Sequence, residues 1–150
     1  MKSRVRSVAS LMVILLSGCS TSKPYNFEAA AERGDIVDVH GQVSNAQRLE
    51  EFNQNFLQNV KDKIRITRST IEGDPTFYDI QFNGKEIKLK YDNSKDKHGT
   101  RIRQSTVCES LIARETQRGI EYSFDECSGK NKDLGNTFKL EVSNGLEVKK

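Results

Sequence analysis

The sequence predicts an α+β domain: a largely antiparallel, meandering sheet of about six strands, packed on one face by one amphipathic helix. Three observations carry this. Between residues 45 and 61, Leu49, Phe52, Phe56 and Val60 recur at steps of three and four among Gln, Glu, Asn and Lys, the period of a helix with one apolar face. From Lys63 onward the period changes to two, as in strands with one buried face. Asn83-Gly84, a strong hairpin signal, sits between two such alternating runs.

The chain has 150 residues, the length of one ordinary domain. Charged residues make up 30% and hydrophobic ones 35%, with a mean hydropathy of -0.68, which excludes a polytopic membrane protein. The formal charge of +3 is no sign of nucleic-acid binding. Lys2, Arg4 and Arg6 precede any acidic residue, and without them basic and acidic residues balance.

Those three charges open a segment with a different purpose. Residues 8–16 are apolar apart from Ser10, and Leu16-Ser17-Gly18-Cys19 ends in small residues before a cysteine. The apolar run is shorter than the ~20 residues that a spanning helix needs, so it reads as a secretory signal, residues 1–18, with a lipobox. The pattern resembles that of bacterial lipoproteins, which implies that Cys19 carries a diacylglycerol and becomes the first mature residue. Residues 19–27 then form the lipidated cysteine and a short tether, and 28–150 the domain. A tether of about eight residues reaches at most ~26 Å at ~3.3 Å per residue, which keeps the domain beside an extracytoplasmic membrane face.

Along the domain, residues 27–33 favour a short helix that Gly34 ends, and 36–40 a strand. Ser44 to Gln47 has the S-x-x-Q form of a capping box, placing the main helix from 45 to about 61. A first strand over 64–72 stops at Gly73-Asp74-Pro75. Residues 76–82 and 86–91 form the Asn83-Gly84 hairpin, 92–100 a polar loop, 101–113 and 120–126 a second hairpin, and 137–142 the closing strand.

Lipidation of Cys19 leaves Cys108 and Cys127 as a disulfide pair in an oxidising compartment. One hairpin register sets Leu111 opposite Phe124, Ala113 opposite Tyr122 and Cys108 opposite Cys127. By alternation the cysteines lie on the face away from Leu111 and Phe124, which predicts a surface staple unless a bulge at Gly119 shifts the phase. A zinc site joining these thiols to His40 and His98 lacks the close ligand spacings that such sites show.

The string Thr70-Ile-Glu-Gly-Asp-Pro-Thr-Phe-Tyr-Asp-Ile-Gln-Phe-Asn-Gly-Lys-Glu-Ile-Lys-Leu-Lys-Tyr-Asp-Asn-Ser-Lys-Asp-Lys-His-Gly99 resembles a family of small lipoproteins of Gram-positive bacteria, catalogued as domain of unknown function number 4362. The likeness extends from Gly34-Asp35-Ile36-Val37 through Cys108 and Cys127 to Gly135-Asn136-Thr137-Phe138. It implies a lipidated cysteine, a tether and a single domain, and it transfers no catalytic residue.

Chemistry is sparse. Asp92, Ser94 and Asp96 place oxygens at alternate positions, as in the first half of a calcium loop, but Lys97 and Arg103 stand where an EF-hand needs Gly and an acid, so a solvated turn is expected. Asp74, Asp79, Asp92 and Asp96 could supply paired carboxylates for glycoside chemistry. Lys85, Lys88 and Lys90, near Lys95 and Lys97, either attract anionic headgroups and wall polymers or guard a strand against edge pairing. The expectation is a lipid-anchored, non-enzymatic binding or accessory domain without a cofactor or metal. The alternative is a small carboxylate-dependent hydrolase of envelope polysaccharide, and no oligomeric state follows from the sequence.

Overall fold

The computed structural model describes residues 23–143, so the expected signal segment and Cys19 lie outside the described residues. Helix α1 (Phe27–Glu32) is capped by Asn26, whose Oδ1 accepts the Ala29 amide at 2.9 Å. Gly34, at φ +94°, turns the chain into the hairpin of β1 (Ile36–Val39) and β2 (Gln42–Ser44).

Helix α2 (Ala46–Leu57) follows, with Leu49 and Phe52 buried. The expected capping box does not form, because Ser44 stays paired with Val37 in β2. Asn45 takes a left-handed backbone, φ 56°, and its side-chain amide donates to the carbonyls of Ala31 and Asp35, tying the α1–β1 turn instead. The helix also ends about a turn before Lys61. Asn59, at φ 57°, reverses the chain, and the amides of Asn59 and Val60 bond the carbonyls of Phe56 and Asn55, a Schellman stop.

Strands β3 (Asp62–Ser69), β4 (Pro75–Phe82), β5 (Ile87–Asp92) and β6 (Arg103–Cys108) complete a six-stranded sheet in the order β2-β1-β3-β4-β5-β6. Every neighbour is antiparallel except β1 and β3, which run parallel because α2 provides the crossover between them. The α+β class stands, with a mixed large sheet.

What the alternation did not reveal is a second sheet. Residues 101–113 are two strands, not one: β6 ends at Cys108, the chain bends at Glu109, and β7 (Ser110–Glu115) pairs with β8 (Gly119–Asp125) and β9 (Lys139–Ser143). Between the strands predicted over 120–126 and 137–142 lies a short helix, α3 (Lys132–Asn136), that the sequence pattern does not announce. The hairpin register is as expected, with Leu111 opposite Phe124 and Ala113 opposite Tyr122.

The core lies between the two sheets. Ile64, Ile66, Ile80, Phe82, Ile87 and Leu89 of the large sheet meet Leu111, Tyr122, Phe124 and Leu140 of the small one, with Leu49 and Phe52 of α2 filling the gap. The disulfide between Cys108 and Cys127 forms, but it is not the surface staple that strict alternation predicts. Cys108 is fully buried and Cys127 is 8% exposed. Two breaks invert the phase. The bend at Glu109 lets both Cys108 and Leu111 face the core, and Glu126, at φ 54°, turns Cys127 inward after Phe124. Gly119 is not where the phase shifts. The disulfide thus bridges the large sheet to the end of β8, and α3 lies against it so closely that a Cβ at Gly135 would overlap both sulfurs.

Arg68 makes a second joint. Its Nε lies 3.1 Å from Asp38 Oδ2, a close ion pair without hydrogen-bond alignment, and Nη2 donates to the Lys139 carbonyl across in β9. The guanidinium also stacks 4.9 Å from the Phe138 ring centroid and 5.4 Å from that of Tyr78.

Candidate functional site

The loop between β5 and β6 holds Asp92, Ser94 and Asp96, and its oxygens are turned on its own backbone. Asp92 Oδ1 accepts the Ser94 amide at 2.7 Å, Asp92 Oδ2 accepts Arg103 Nε at 2.9 Å, and Ser94 Oγ accepts Arg103 Nη2 at 3.1 Å. Asp96 Oδ1 accepts the amides of His98 and Gly99 at 2.8 and 2.9 Å. Asn93 is buried and fixes the loop's base, donating to the Thr100 carbonyl and accepting the Ile102 amide. These are the bonds of nested Asx turns. Among the described residues no three His, Cys, Asp or Glu side chains converge on a point that could hold a metal.

Two consequences can be measured. Because the loop satisfies its own polar groups, millimolar calcium should leave the thermal midpoint unchanged. A ligand at 100 times its dissociation constant would add ~2.7 kcal/mol, several degrees in a domain of this size, so a shift of that order abolished by Asp92→Asn would show that the loop binds the ion. The second concerns acid. The Asp92 carboxyl is held below the usual range by the Ser94 hydroxyl and amide and by Arg103, and that of Asp96 by the His98 and Gly99 amides. Burial pushes Asp62 up, but Arg48, Asn55 and the Lys63 amide outweigh it and leave its carboxyl below the usual range too. Lowered folded-state values mean stability that is complete above ~3.9, the value of an unstructured Asp, and lost as pH falls through the lower folded values. The thermal midpoint should therefore drop as pH falls below about 4, and Asp62→Asn should make that limb shallower.

The carboxylates on which the alternative hydrolase reading depends are engaged by other groups. Asp79 pairs with Arg65 at 2.6 Å, Asp92 with Arg103, and Asp74 accepts the Lys97 amide at 2.8 Å while its other oxygen lies 3.7 Å from Lys97 Nζ. His98 Nε2 lies 3.9 Å from Asp74, whereas the exposed His40, at φ 52°, sits in the β1–β2 turn. The disulfide takes both thiols away from any zinc.

A different surface stands out. On the outward face of the large sheet, register places Lys63 across from Gln81 and Gln81 across from Lys88, with the Arg65–Asp79 pair beside Lys90. Together with Arg33 from the end of α1 these side chains line a shallow cleft of about 390 Å³. The sequence expected a lysine row formed by Lys85, Lys88 and Lys90 with Lys95 and Lys97. The structure keeps Lys88 and Lys90, puts Lys85 in the hairpin turn, and carries Lys95 and Lys97 off in the β5–β6 loop. Lys63 joins them only through the register of β3, β4 and β5, and Arg33 only through the place of the end of α1 beside that face. A lysine's pairing partner two strands away leaves no mark in local periodicity.

With the geometry set, the family match locates the chain. The model of a domain of unknown function, DUF4362, matches residues 33–123. The chain belongs to that family. The DUF4362 match takes in the whole large sheet and most of the first hairpin of the small one, and ends before Cys127, α3 and β9, short of Phe138, where the likeness is expected to end from the sequence. It thus includes the basic outward face and the β5–β6 loop. No curated protein and no solved structure matches the chain.

Proposed function

We propose that this DUF4362 chain is an exported lipoprotein, held at the extracytoplasmic membrane face through Cys19, whose domain serves as a non-enzymatic binding or accessory module. The buried disulfide is the observation that carries the reading. A covalent link through the core, with Cys108 fully buried, belongs to an oxidising compartment, and it leaves Cys19 as the odd thiol of three. That agrees with the basic, apolar and small-residue pattern ahead of Cys19. Binding rather than hydrolysis is supported by what the carboxylates do: Asp79, Asp92 and Asp96 are engaged with Arg65, Arg103 and loop amides, which holds the Asp92 and Asp96 carboxyls ionised, below the usual titration range, and leaves neither suited to donate a proton near neutral pH.

The binding half of the reading is tested on envelope polymer. The expected result is retention of polymer with no release of shortened chains by wild-type protein. Turnover that disappears when Asp92 and Asp96 both become Asn would instead establish the carboxylate-dependent hydrolase.

A further inference from the structure

We propose that the outward face of the large sheet, through Lys63, Lys88, Lys90 and Arg33, rests on the anionic phospholipid headgroups beside the anchor. The inference rests on the lipid-anchor reading above and adds an orientation to it.

The four cations are not there to protect an edge. Strand β5 lies inside the sheet, between β4 and β6, so Lys88 and Lys90 guard no open ladder. Nor are they balanced locally. Of the acids on this face, Asp79 and Asp92 are taken by Arg65 and Arg103 and Asp35 accepts the Thr67 hydroxyl at 2.8 Å, and among the described residues Lys63, Lys88, Lys90 and Arg33 make no ion pair within 4.0 Å. All four are exposed. Strand spacing of ~4.8 Å puts Lys63 about 10 Å from Lys88, and two residues along β5 put Lys90 ~7 Å from it. The result is a cluster of unpaired cations around an open cleft, which suits a plane of headgroups better than one enclosed ligand.

The chain enters on the same face. The Tyr25 ring packs on Phe77, with centroids 5.8 Å apart, and Arg33 donates to the Tyr25 hydroxyl at 3.3 Å. Phe77 alternates with the buried Ile80 and Phe82 and so points outward, alongside Arg65, whose guanidinium covers its ring at 5.6 Å. Tyr25 lies six positions after Cys19, a span of at most ~22 Å. An anchor at Cys19 therefore tethers this face, and not the small sheet, nearest the bilayer. Each basic residue near an anionic surface raises partition by about fivefold, so four of them can fix which side of an anchored domain lies down.

The test is lysine footprinting on the full chain purified from membranes and reconstituted into vesicles of neutral phosphatidylcholine, with or without phosphatidylglycerol. A water-soluble acetylating reagent is applied, and each lysine's rate is read by mass spectrometry. Lys139, outward on the small sheet, is the internal reference. Adding phosphatidylglycerol should slow Lys63, Lys88 and Lys90 about fivefold or more while Lys139 is unchanged. About 1 M salt, where the screening length is ~3 Å, should erase the difference. Equal rates in both vesicles would overturn the proposal while leaving the anchor intact. Failure of the chain to enter neutral vesicles at all would overturn the anchor reading, and this one with it. Protection of the same lysines by soluble poly(glycerol phosphate), but not by phosphatidylglycerol, would also overturn it and assign the face to a wall polymer.

Discussion

Replacing Cys108 and Cys127 together by alanine should lower unfolding stability by about 4 kcal/mol and the thermal midpoint by roughly 15 °C. Two contributions add. Cross-linking residues 19 apart removes ~3 kcal/mol of chain entropy from the unfolded state, and truncating two core side chains leaves a void beneath α3. The bridge also ties the last strand of the large sheet to the end of β8, so without it Gly135 and α3 lose the surface they pack on. Reduction of the wild type in mild denaturant should reproduce the entropic part only. Thermal melts of the double variant checking within a degree or two of wild type would mean that the sheets hold each other by apolar contact alone.

Arg68→Leu should cost about 3 kcal/mol, because it strips a mostly buried carboxylate of its counter-charge and a β9 carbonyl of a donor. The Arg68 side chain is 21% exposed and that of Asp38 16%, so solvent can replace little of what is lost. Asp38 has a second duty, accepting the Gly41 amide at 2.8 Å in the β1–β2 turn. This decides the choice of partner variant. Asp38→Asn removes the charge and keeps that acceptor, so Arg68→Leu with Asp38→Asn should recover part of the loss seen with Arg68→Leu alone. Denaturant melts of the four proteins in the cycle give the coupling. Additive effects would show that Arg68 acts by stacking on Phe138 and Tyr78 and not by charge.

Short-range pattern made much of this fold readable. Alternation and Asn83-Gly84 located β4 and β5, and the pairing of Leu111 with Phe124 followed from the spacing of two β-favouring runs. The breaks were not readable. Nothing in the residues around Glu109 distinguishes a strand that continues from one that changes sheets, because both halves are β-favouring and the bend is set by where the second sheet packs. The spacing gives the right cysteine pair, but strict alternation puts it on the wrong face because neither that bend nor the left-handed turn at Glu126 shows in the local pattern. The parallel pairing of β1 with β3 is likewise a product of the α2 crossover, and Ser44 satisfies the letter of a capping box while its backbone is held in β2. The candidate site shows the same division. The Asp92, Ser94 and Asp96 turn was visible as a run of turn-formers interrupted by lysines, whereas the basic face needed Lys63, Gln81 and Lys88 to be set side by side.

The reading of this DUF4362 chain as a lipid-anchored exported domain turns on Cys19, and one measurement addresses it directly: mass spectrometry of the N-terminal fragment of the protein recovered from the membrane fraction of cells that make it. The expected fragment begins at Cys19 and carries a diacylglycerol on its sulfur, and Cys19→Ala protein is released from membranes by a salt wash. A fragment beginning elsewhere with an unmodified Cys19, or Cys19→Ala protein that stays firmly bound after the wash, would contradict it.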